Sequence, residues 1–316
     1  MTAYLIRRLG QACVVVIGVS LIVFLITHLL PGSPARAILG IQATPAAVRH
    51  FNAVNGFDKP VYVQFLVYWK HLLSGNLGFS YKQDLPVATL IADDLPKTLL
   101  LDGLGFGMAF VIGIPVGLWQ AVHRNRADDH LLTSLSFIGY SMPVFWTGML
   151  LIWVLAVDAH VFPAVTPSAA TVGQVLQHPL ALVLPVATLA IVLSPAVIRF
   201  MRSAAIENLA EDYVRTARAK GARRARIVLV HVLRNSVLPL ITLFGFTLPL
   251  VLSGSIVVET VFNYPGMGLL MWNAAEQHDY PTLLGGTIVI GIATVVGSLL
   301  ADLLYAVADP RVRYTR

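Results

Sequence analysis

Residues 99–122 read LLLDGLGFGMAFVIGIPVGLWQAV, a long apolar run whose single charged side chain is Asp102. Because a helix rises 1.5 Å per residue, about 20 apolar residues are enough to cross a hydrocarbon layer of about 30 Å. The backbone polar groups of such a segment find no water in lipid, so they must bond within the segment. This stretch therefore predicts a transmembrane helix.

Five further apolar segments of similar length lie along the chain. Together they predict six transmembrane helices, at residues 9–30, 99–122, 131–157, 180–201, 236–261 and 283–307. The first run exceeds the 7–15 apolar residues of a signal peptide, so we expect it to be retained as a helix. No repeat or flexible linker divides the 316 residues, which predicts one all-α integral membrane domain.

The composition supports this class of protein. The chain is 57 % hydrophobic and only 12 % charged, whereas soluble domains carry about 25 % charged residues. A soluble globular protein and a disordered chain are both excluded. The net charge of +6 would suit nucleic acid, but the basic residues lie between apolar runs, where they indicate topology.

Lysine and arginine placement predicts the orientation of the helices. If both termini are cytoplasmic, 16 of the 22 basic residues face the cytoplasm, and the other six lie in or beside the long first outer loop. Long loops count little in this rule, so the assignment follows from the short ones. Residues 31–96 are then an extracytoplasmic insertion, and residues 202–235 form a cytoplasmic loop.

The outer insertion contains an aromatic stretch with helical spacing. Tyr62, Phe65 and Trp69 fall on one face of a helix. This face either lies in the bilayer interface, where tyrosine and tryptophan concentrate, or covers the outside of the bundle and meets a partner. The sequence leaves both alternatives open.

The cytoplasmic loop is the most informative part of the chain. Residues 211–235 read EDYVRTARAKGARRARIVLVHVLRN, with basic and small residues interleaved. Gly221 divides a short helix from a longer one that leads into the fifth transmembrane helix, since glycine permits a bend. The segment either anchors the topology on lipid phosphates or is approached closely by another protein surface.

Polar residues near the end of the fifth transmembrane helix are candidates for a translocation pathway. Glu259 is one, because charge within a membrane is costly and often functional. A kink at Pro249 beside Ser253 and Ser255 would also suit a pathway. Helix packing explains the same residues equally well.

The residues 215–221, RTARAKG, resemble the cytoplasmic coupling motif of ABC-importer permeases, whose general pattern is Glu-Ala-Ala, three residues, then Gly. Gly221 and Ala217 match this pattern, whereas Arg215 and Thr216 replace the glutamate and the first alanine. The form DYVRTARAKG is similar to the dipeptide, oligopeptide and nickel branch. Five further stretches resemble the same branch: LIRRLGQ, GFDKPVYVQFLVYW, LSGNLGFSY, VETVFNYPGMG and DPRVRY. The order of the loop motif and DPRVRY along the chain resembles that of the B-type subunit.

This resemblance implies a type I ABC-importer permease that transports dipeptides or oligopeptides across a bacterial inner membrane. Such a permease pairs with a second permease, two cytoplasmic ATPases and an extracytoplasmic binding protein. The chain itself would hold no cofactor, because ATP and magnesium would bind to the ATPases. The binding protein would meet the outer loop near Tyr68 and Phe79. The ATPase-coupling residues would be Arg215, Thr216, Ala217, Arg218, Ala219, Lys220, Gly221 and Ala222.

The sequence leaves alternatives to this function. An importer of the same type for nickel chelates or glutathione fits the same motifs. A stand-alone secondary transporter or channel would need acidic relays in its helices and would leave the basic loop unexplained. A membrane-embedded hydrolase lacks a credible catalytic set, since the sequence has neither a phosphate-binding Gly-x-x-x-x-Gly-Lys-Ser/Thr loop nor a His-Glu-x-x-His pair. We therefore predict that the chain is not an enzyme.

Overall fold

The computed structural model describes residues 2–29, 35, 39, 42–253 and 255–308. Helices dominate this part of the chain, and a two-stranded antiparallel hairpin interrupts them. In chain order the elements are α1 (Thr2–Leu29), α2 (Pro45–Asn55), α3 (Val61–Leu73), β1 (Phe79–Ser80), β2 (Leu85–Pro86), α4 (Val87–Val122), α5 (Ala127–Ser141), α6 (Val144–Leu151), a π-helical segment (Ile152–Asp158), α7 (Val172–Leu176), α8 (Pro179–Ala210), α9 (Asp212–Ala219), α10 (Arg224–Arg226), a second π-helical segment (Ile227–Val232), α11 (Leu233–Ser236), α12 (Leu238–Ser253), α13 (Ile256–Val261), α14 (Met267–Glu276) and α15 (Tyr280–Ala308).

Several of these helices are long enough to cross a membrane. Among the described residues, four stretches qualify by length and hydropathy, and the α5–α6 pair makes a fifth if it is one broken span. The first predicted transmembrane helix contains only a shorter apolar stretch, Cys13–Ile26, and the fifth is divided between a qualifying stretch and the shorter stretch Pro249–Val261. The four qualifying stretches are Val87–Val122, Pro179–Ala210, Arg224–Gly245 and Tyr280–Ala301.

The third predicted transmembrane helix, 131–157, is wrong as one continuous helix. It lies within α5 and the stretch Val144–Asp158, which is α6 with the first π-helical segment, and the two axes are bent by 105°. Met142 precedes Pro143 and has a ψ of 130°, outside the helical region. The proline ring disfavours the helical conformation of the residue before it, so the helix ends there and restarts at Val144.

The fifth predicted transmembrane helix, 236–261, is also interrupted. Its helices α12 and α13 are separated near Ser255, whose φ of −106° and ψ of 83° are not helical. Upstream, the apolar helical stretch begins at Arg224, well before the predicted start. The basic residues at the start of this stretch lower its local hydropathy, so the hydropathy pattern placed the start of the helix too late.

Small residues allow α4 and α8 to pack closely. A β-carbon at Gly105, Gly113 or Gly117 would lie 2.6 Å from an atom of α8, and Ala109 completes this four-residue spacing with no exposed surface. Gly113 and Gly117 form one of the two Gly-x-x-x-Gly pairs in the sequence. A β-carbon at Gly103 or Gly107, the other pair, would have no neighbouring atom within 4 Å in the described part of the chain. Close helix approach through small residues is typical of membrane proteins.

This packing predicts that Gly117→Val destabilises the protein. The new β-carbon would lie 2.6 Å from the backbone oxygen of Ile198, and a backbone atom cannot move aside as a flexible side chain would. Overpacking of this kind costs about 1–3 kcal/mol. Thermal unfolding of the purified protein in detergent would measure the loss. The matched variant Gly107→Val should unfold like the wild type, and equal destabilisation by both variants would contradict the packing.

Candidate functional site

The short helix α9 is anchored firmly in the body of the protein. Val214 has no exposed surface and belongs to a core cluster with Leu118 of α4 and Met201 of α8. The hydroxyl of Tyr213 donates a 2.7 Å hydrogen bond to Oδ1 of Asn208 at the end of α8. A push on α9 would therefore be transmitted directly to two long helices.

Gly221 ends this helix in a conformation that favours glycine. Its φ is +78°, in the left-handed region. The Gly221 N–H donates to the carbonyl of Arg218 at 2.9 Å, and the Ala222 N–H donates to that of Ala217 at 3.1 Å. These two bonds define a Schellman motif. The bend predicted at this glycine is therefore observed, and it separates α9 from α10.

The side of α9 that faces away from the protein core carries exposed basic side chains. Arg215, Arg218 and Lys220 are exposed, whereas Ala217 and Ala222 are half-buried. Arg215 lies 3.2 Å from Asp212, but their side chains are 76 % and 92 % exposed, so this ion pair contributes little stability. The remaining predicted coupling residues, Thr216, Ala219 and Gly221, are also exposed.

Two further arginines tie this end of the bundle together. Arg202 on α8 holds Asp129 on α5 through two hydrogen bonds of 2.9 and 2.8 Å. Arg224 donates a 3.0 Å bond to the carbonyl of Val122, at the end of α4. Paired, charge-assisted bonds of this geometry fix orientation well. Neither contact could be predicted from the sequence, because the bonded residues lie far apart along the chain.

Glu259 lies in a sealed polar cluster. It has no exposed surface, accepts a 2.7 Å hydrogen bond from the hydroxyl of Thr98, and accepts a 3.1 Å bond from the N–H of Leu269. Thr98 in turn accepts a 2.8 Å bond from the N–H of Met267. The carboxylate and hydroxyl thus accept bonds from two of the free N–H groups at the start of α14.

The NYPGMG turn wraps closely around this cluster. The hydroxyl of Tyr264 donates a 2.6 Å bond to the carbonyl of Lys97, and burial raises the pKa of Tyr264. A β-carbon on Gly266 would lie 2.5 Å from the Thr98 hydroxyl and 2.6 Å from the Glu259 carboxylate. The sequence stretch VETVFNYPGMG contains most of the residues of this polar cluster, but no sequence pattern pointed to Thr98.

The other pathway candidates surround the break between α12 and α13. Pro249 and Ser255 are half-buried, and the Ser255 carbonyl accepts a 2.9 Å bond from the Glu259 N–H. Ser253 is the last residue of α12, and its side chain lies outside the described structure. A pathway role for these residues and for Glu259 stays a prediction.

A cavity of about 810 Å³, called the outer cavity below, lies beside α3, the hairpin and the start of α15. It brings together Tyr68 of α3 and Phe79 of β1, the two residues predicted to meet a binding protein. Burial raises the pKa of Tyr68 to about 12, and its hydroxyl has no hydrogen-bond partner among the described residues. Lys59 and Lys82 also line the cavity.

The walls of this outer cavity are held by defined contacts. Asp279, which is 4 % exposed, accepts a 2.5 Å bond from Ser80 and a 2.7 Å bond from Thr282. The rings of Phe79 and Tyr81 pack at 5.4 Å. These contacts join the hairpin to the start of α15, so the outer insertion is built into the bundle.

The aromatic face of α3 packs mainly on α1. The Phe65 ring lies 5.2 Å from that of Phe24, and the Trp69 indole donates a 3.2 Å bond to Ser20. Tyr62 is 69 % exposed. Two of the three residues predicted to share a face therefore cover α1, and the third is free to meet lipid or a partner.

Comparison with known proteins identifies the family. The family model described as "Binding-protein-dependent transport system inner membrane component" matches residues 113–314. The model described as "Binding-prot-dependent transport system membrane comp, N-term" matches residues 1–102. The chain belongs to this family of binding-protein-dependent transport system inner membrane components, the permeases of ABC importers.

Individual relatives identify the branch of the family. A Brucella ovis protein named as a peptide permease is 38 % identical over 322 residues, covering 100 % of both chains. The oligopeptide transport system permease protein AppB of Bacillus subtilis is 37 % identical, covering 99 % of this chain and 100 % of its own length. The glutathione transport system permease protein GsiC of Salmonella typhimurium is 37 % identical with the same coverage. The chain is a multi-pass membrane permease of the peptide type.

A solved structure supports the fold. An inward-facing structure of the MetNI methionine ABC transporter matches with a TM-score of 0.53 and 21 % identity, covering 72 % of this chain and 97 % of that one. The all-α, type I ABC-importer permease fold predicted from the sequence is confirmed.

Proposed function

We propose that this chain is the B-type permease subunit of an ATP-driven importer of dipeptides or oligopeptides. It would form the translocation pathway with a second permease and work with two cytoplasmic ATPases and an extracytoplasmic binding protein. ATP and magnesium would bind to the ATPases, and the chain would catalyse no reaction itself. Both termini would lie in the cytoplasm of a bacterial inner membrane.

The anchored helix α9 is the observation that carries this proposal. Its inner side is fixed by the buried Val214, and its outer side presents open basic residues. α9 would bind in a groove of an ATPase. Movement of the ATPase would then displace α4 and α8, which share a core cluster with α9. Closure of the ATPases would then shift the bundle between two states through nucleotide-dependent contacts.

Uptake by proteoliposomes tests this function. The vesicles would contain this chain, the partner permease and both ATPases of the importer, with the binding protein outside and ATP inside. We expect ATP-dependent uptake of radiolabelled dipeptides and tripeptides. Uptake of glutathione or a nickel chelate without uptake of other peptides would move the cargo to those classes, and peptide uptake by this chain alone would contradict the proposal.

The outer cavity is proposed as the contact with the binding protein. We expect a cysteine at Phe79, which is 38 % exposed at the cavity, to crosslink to the binding protein in the assembled importer. A cysteine at Tyr62 on the neighbouring helix serves as the control, because Tyr62 is exposed but does not line the cavity. Mass spectrometry of the crosslinked products would identify the partner.

This crosslinking prediction has a clear contrary outcome. If the cysteine at Phe79 reaches only lipid while the one at Tyr62 reaches the binding protein, the outer cavity is not the docking surface. A cysteine at Tyr68, which is more buried in the same cavity, should reach the binding protein only with a longer crosslinker. Reaction at both positions with long and short reagents alike would indicate an open loop instead of a cavity.

A further inference from the structure

A second cavity, of about 290 Å³, lies between α5 and α8. Phe137, Pro195 and Ile198 form its apolar part. Apart from Ala196, the remaining lining residues are polar, which is unusual between two membrane helices. Its main polar residues are Gln120, Thr133, Tyr140, Arg199, Arg202 and Ser203.

This inner cavity lies at the end of the bundle that carries the coupling helix. Arg202 pairs there with Asp129, near the start of α5, and α8 leads directly into α9. Arg199 lies about 4.5 Å farther along the helix axis, since each residue rises 1.5 Å. Because basic side chains at the end of a membrane helix usually reach the headgroups, we expect this cavity to lie near the boundary between headgroups and acyl chains.

The charges around the inner cavity do not cancel. Both carboxylate oxygens of Asp129 accept bonds from Arg202, and one also accepts a 2.9 Å bond from the N–H of Asn125. Arg199 is exposed, and its guanidinium has no ion pair within the described part of the chain. The cavity thus offers a positive charge without a free carboxylate beside it.

Gln120 adds a polar group that needs a partner. The residue is 1 % exposed, and its amide nitrogen donates a 3.1 Å bond to Thr133. Its carbonyl oxygen Oε1 is buried and has no hydrogen-bond partner among the described residues. A buried acceptor without a donor is costly, so a ligand that brings a hydroxyl would be stabilised here.

We propose that this inner cavity binds the headgroup of an anionic phospholipid of the glycerol-phosphate type. The phosphate would accept hydrogen bonds from Arg199, a headgroup hydroxyl would donate to Oε1 of Gln120, and the acyl chains would leave past Phe137. Phosphatidylcholine lacks a donor for the glutamine and brings a second positive charge. Charge-assisted bonds from arginine to phosphate are among the strongest available.

Native mass spectrometry of the purified full chain tests this proposal. The protein would be equilibrated with mixed micelles that contain equal amounts of phosphatidylglycerol and phosphatidylcholine. We expect preferential retention of phosphatidylglycerol and about a tenfold loss of its affinity in Arg199→Gln, as removal of one charge-assisted bond predicts. Arg199→Lys should retain most of the binding, because the charge remains.

Arg124→Gln provides the matched control. Arg124 is an exposed arginine in the connection between α4 and α5, on the same membrane side but outside the cavity. It should leave phosphatidylglycerol retention unchanged. Equal loss in both variants would indicate general attraction to anionic lipid and overturn the site, as would unselective retention of both lipids. Displacement of phosphatidylglycerol by millimolar trialanine would also overturn it, because the cavity would then belong to the peptide pathway.

Discussion

Replacing Gly221 with aspartate is expected to reduce ATP-dependent peptide uptake to about a tenth or less, which corresponds to about 1.4 kcal/mol of lost coupling. Two effects combine at this position. An L-residue at a φ of +78° strains the end of α9 by about 1–2 kcal/mol, and the carboxylate would stand within the basic surface that we propose binds an ATPase. The protein should still insert and assemble, because no other part of the described chain lies within 4 Å of a β-carbon there.

The chain contains a closely matched control for this variant. Gly75 ends α3 at a φ of +81° with no neighbour within 4 Å of a β-carbon, and Gly75 and Asn76 donate to Leu72 and His71 at 3.0 and 2.9 Å in the same Schellman pattern. Gly75→Asp therefore carries the same backbone strain far from the coupling surface. Transport and stimulated ATPase activity would be measured in proteoliposomes. If both variants lose uptake equally, strain explains the loss and docking does not.

Replacing Glu259 with alanine is expected to lower the stability of the purified protein strongly. The change removes the acceptor for the Thr98 hydroxyl and the Leu269 N–H, both in a sealed cluster. Each buried donor left without a partner costs about 1–3 kcal/mol. Thermal unfolding in detergent should show a clearly lower midpoint than the wild type.

Glu276→Ala is the control for this second prediction, because Glu276 is exposed at the end of α14. An unfolding midpoint for Glu259→Ala equal to that of the control would contradict the anchoring role. Glu259→Gln keeps one acceptor oxygen and separates anchoring from a pathway role. Normal uptake by Glu259→Gln supports the anchor, whereas lost uptake at normal stability supports the pathway.

Local patterns in the sequence were sufficient for much of the fold. Runs of apolar residues identified where most of the long helices lie, and the bend at Gly221 was predicted from a glycine between two helical segments. The break at Pro143 was not predicted, although the same residue was visible. Pro115, Pro185, Pro195 and Pro249 remain inside helices, so proline alone does not locate a bend.

Contacts between distant residues were not predictable from local patterns. Thr98 bonds to Glu259 across 161 positions, Ser80 bonds to Asp279 across 199 positions, and Arg202 pairs with Asp129 across 73 positions. A hydropathy pattern shows which segments are helices but not which faces meet. Glu259 was therefore selected as an intramembrane charge, whereas its partners became visible only in the folded chain.

An electron cryo-microscopy map of the purified importer, with both permeases and both ATPases, would test the central claim most directly. We predict that the exposed side of α9, around Arg218, lies in a groove of an ATPase, with Val214 still buried in the permease core. Density for solvent or lipid headgroups against α9, and no ATPase in contact with it, would contradict the account.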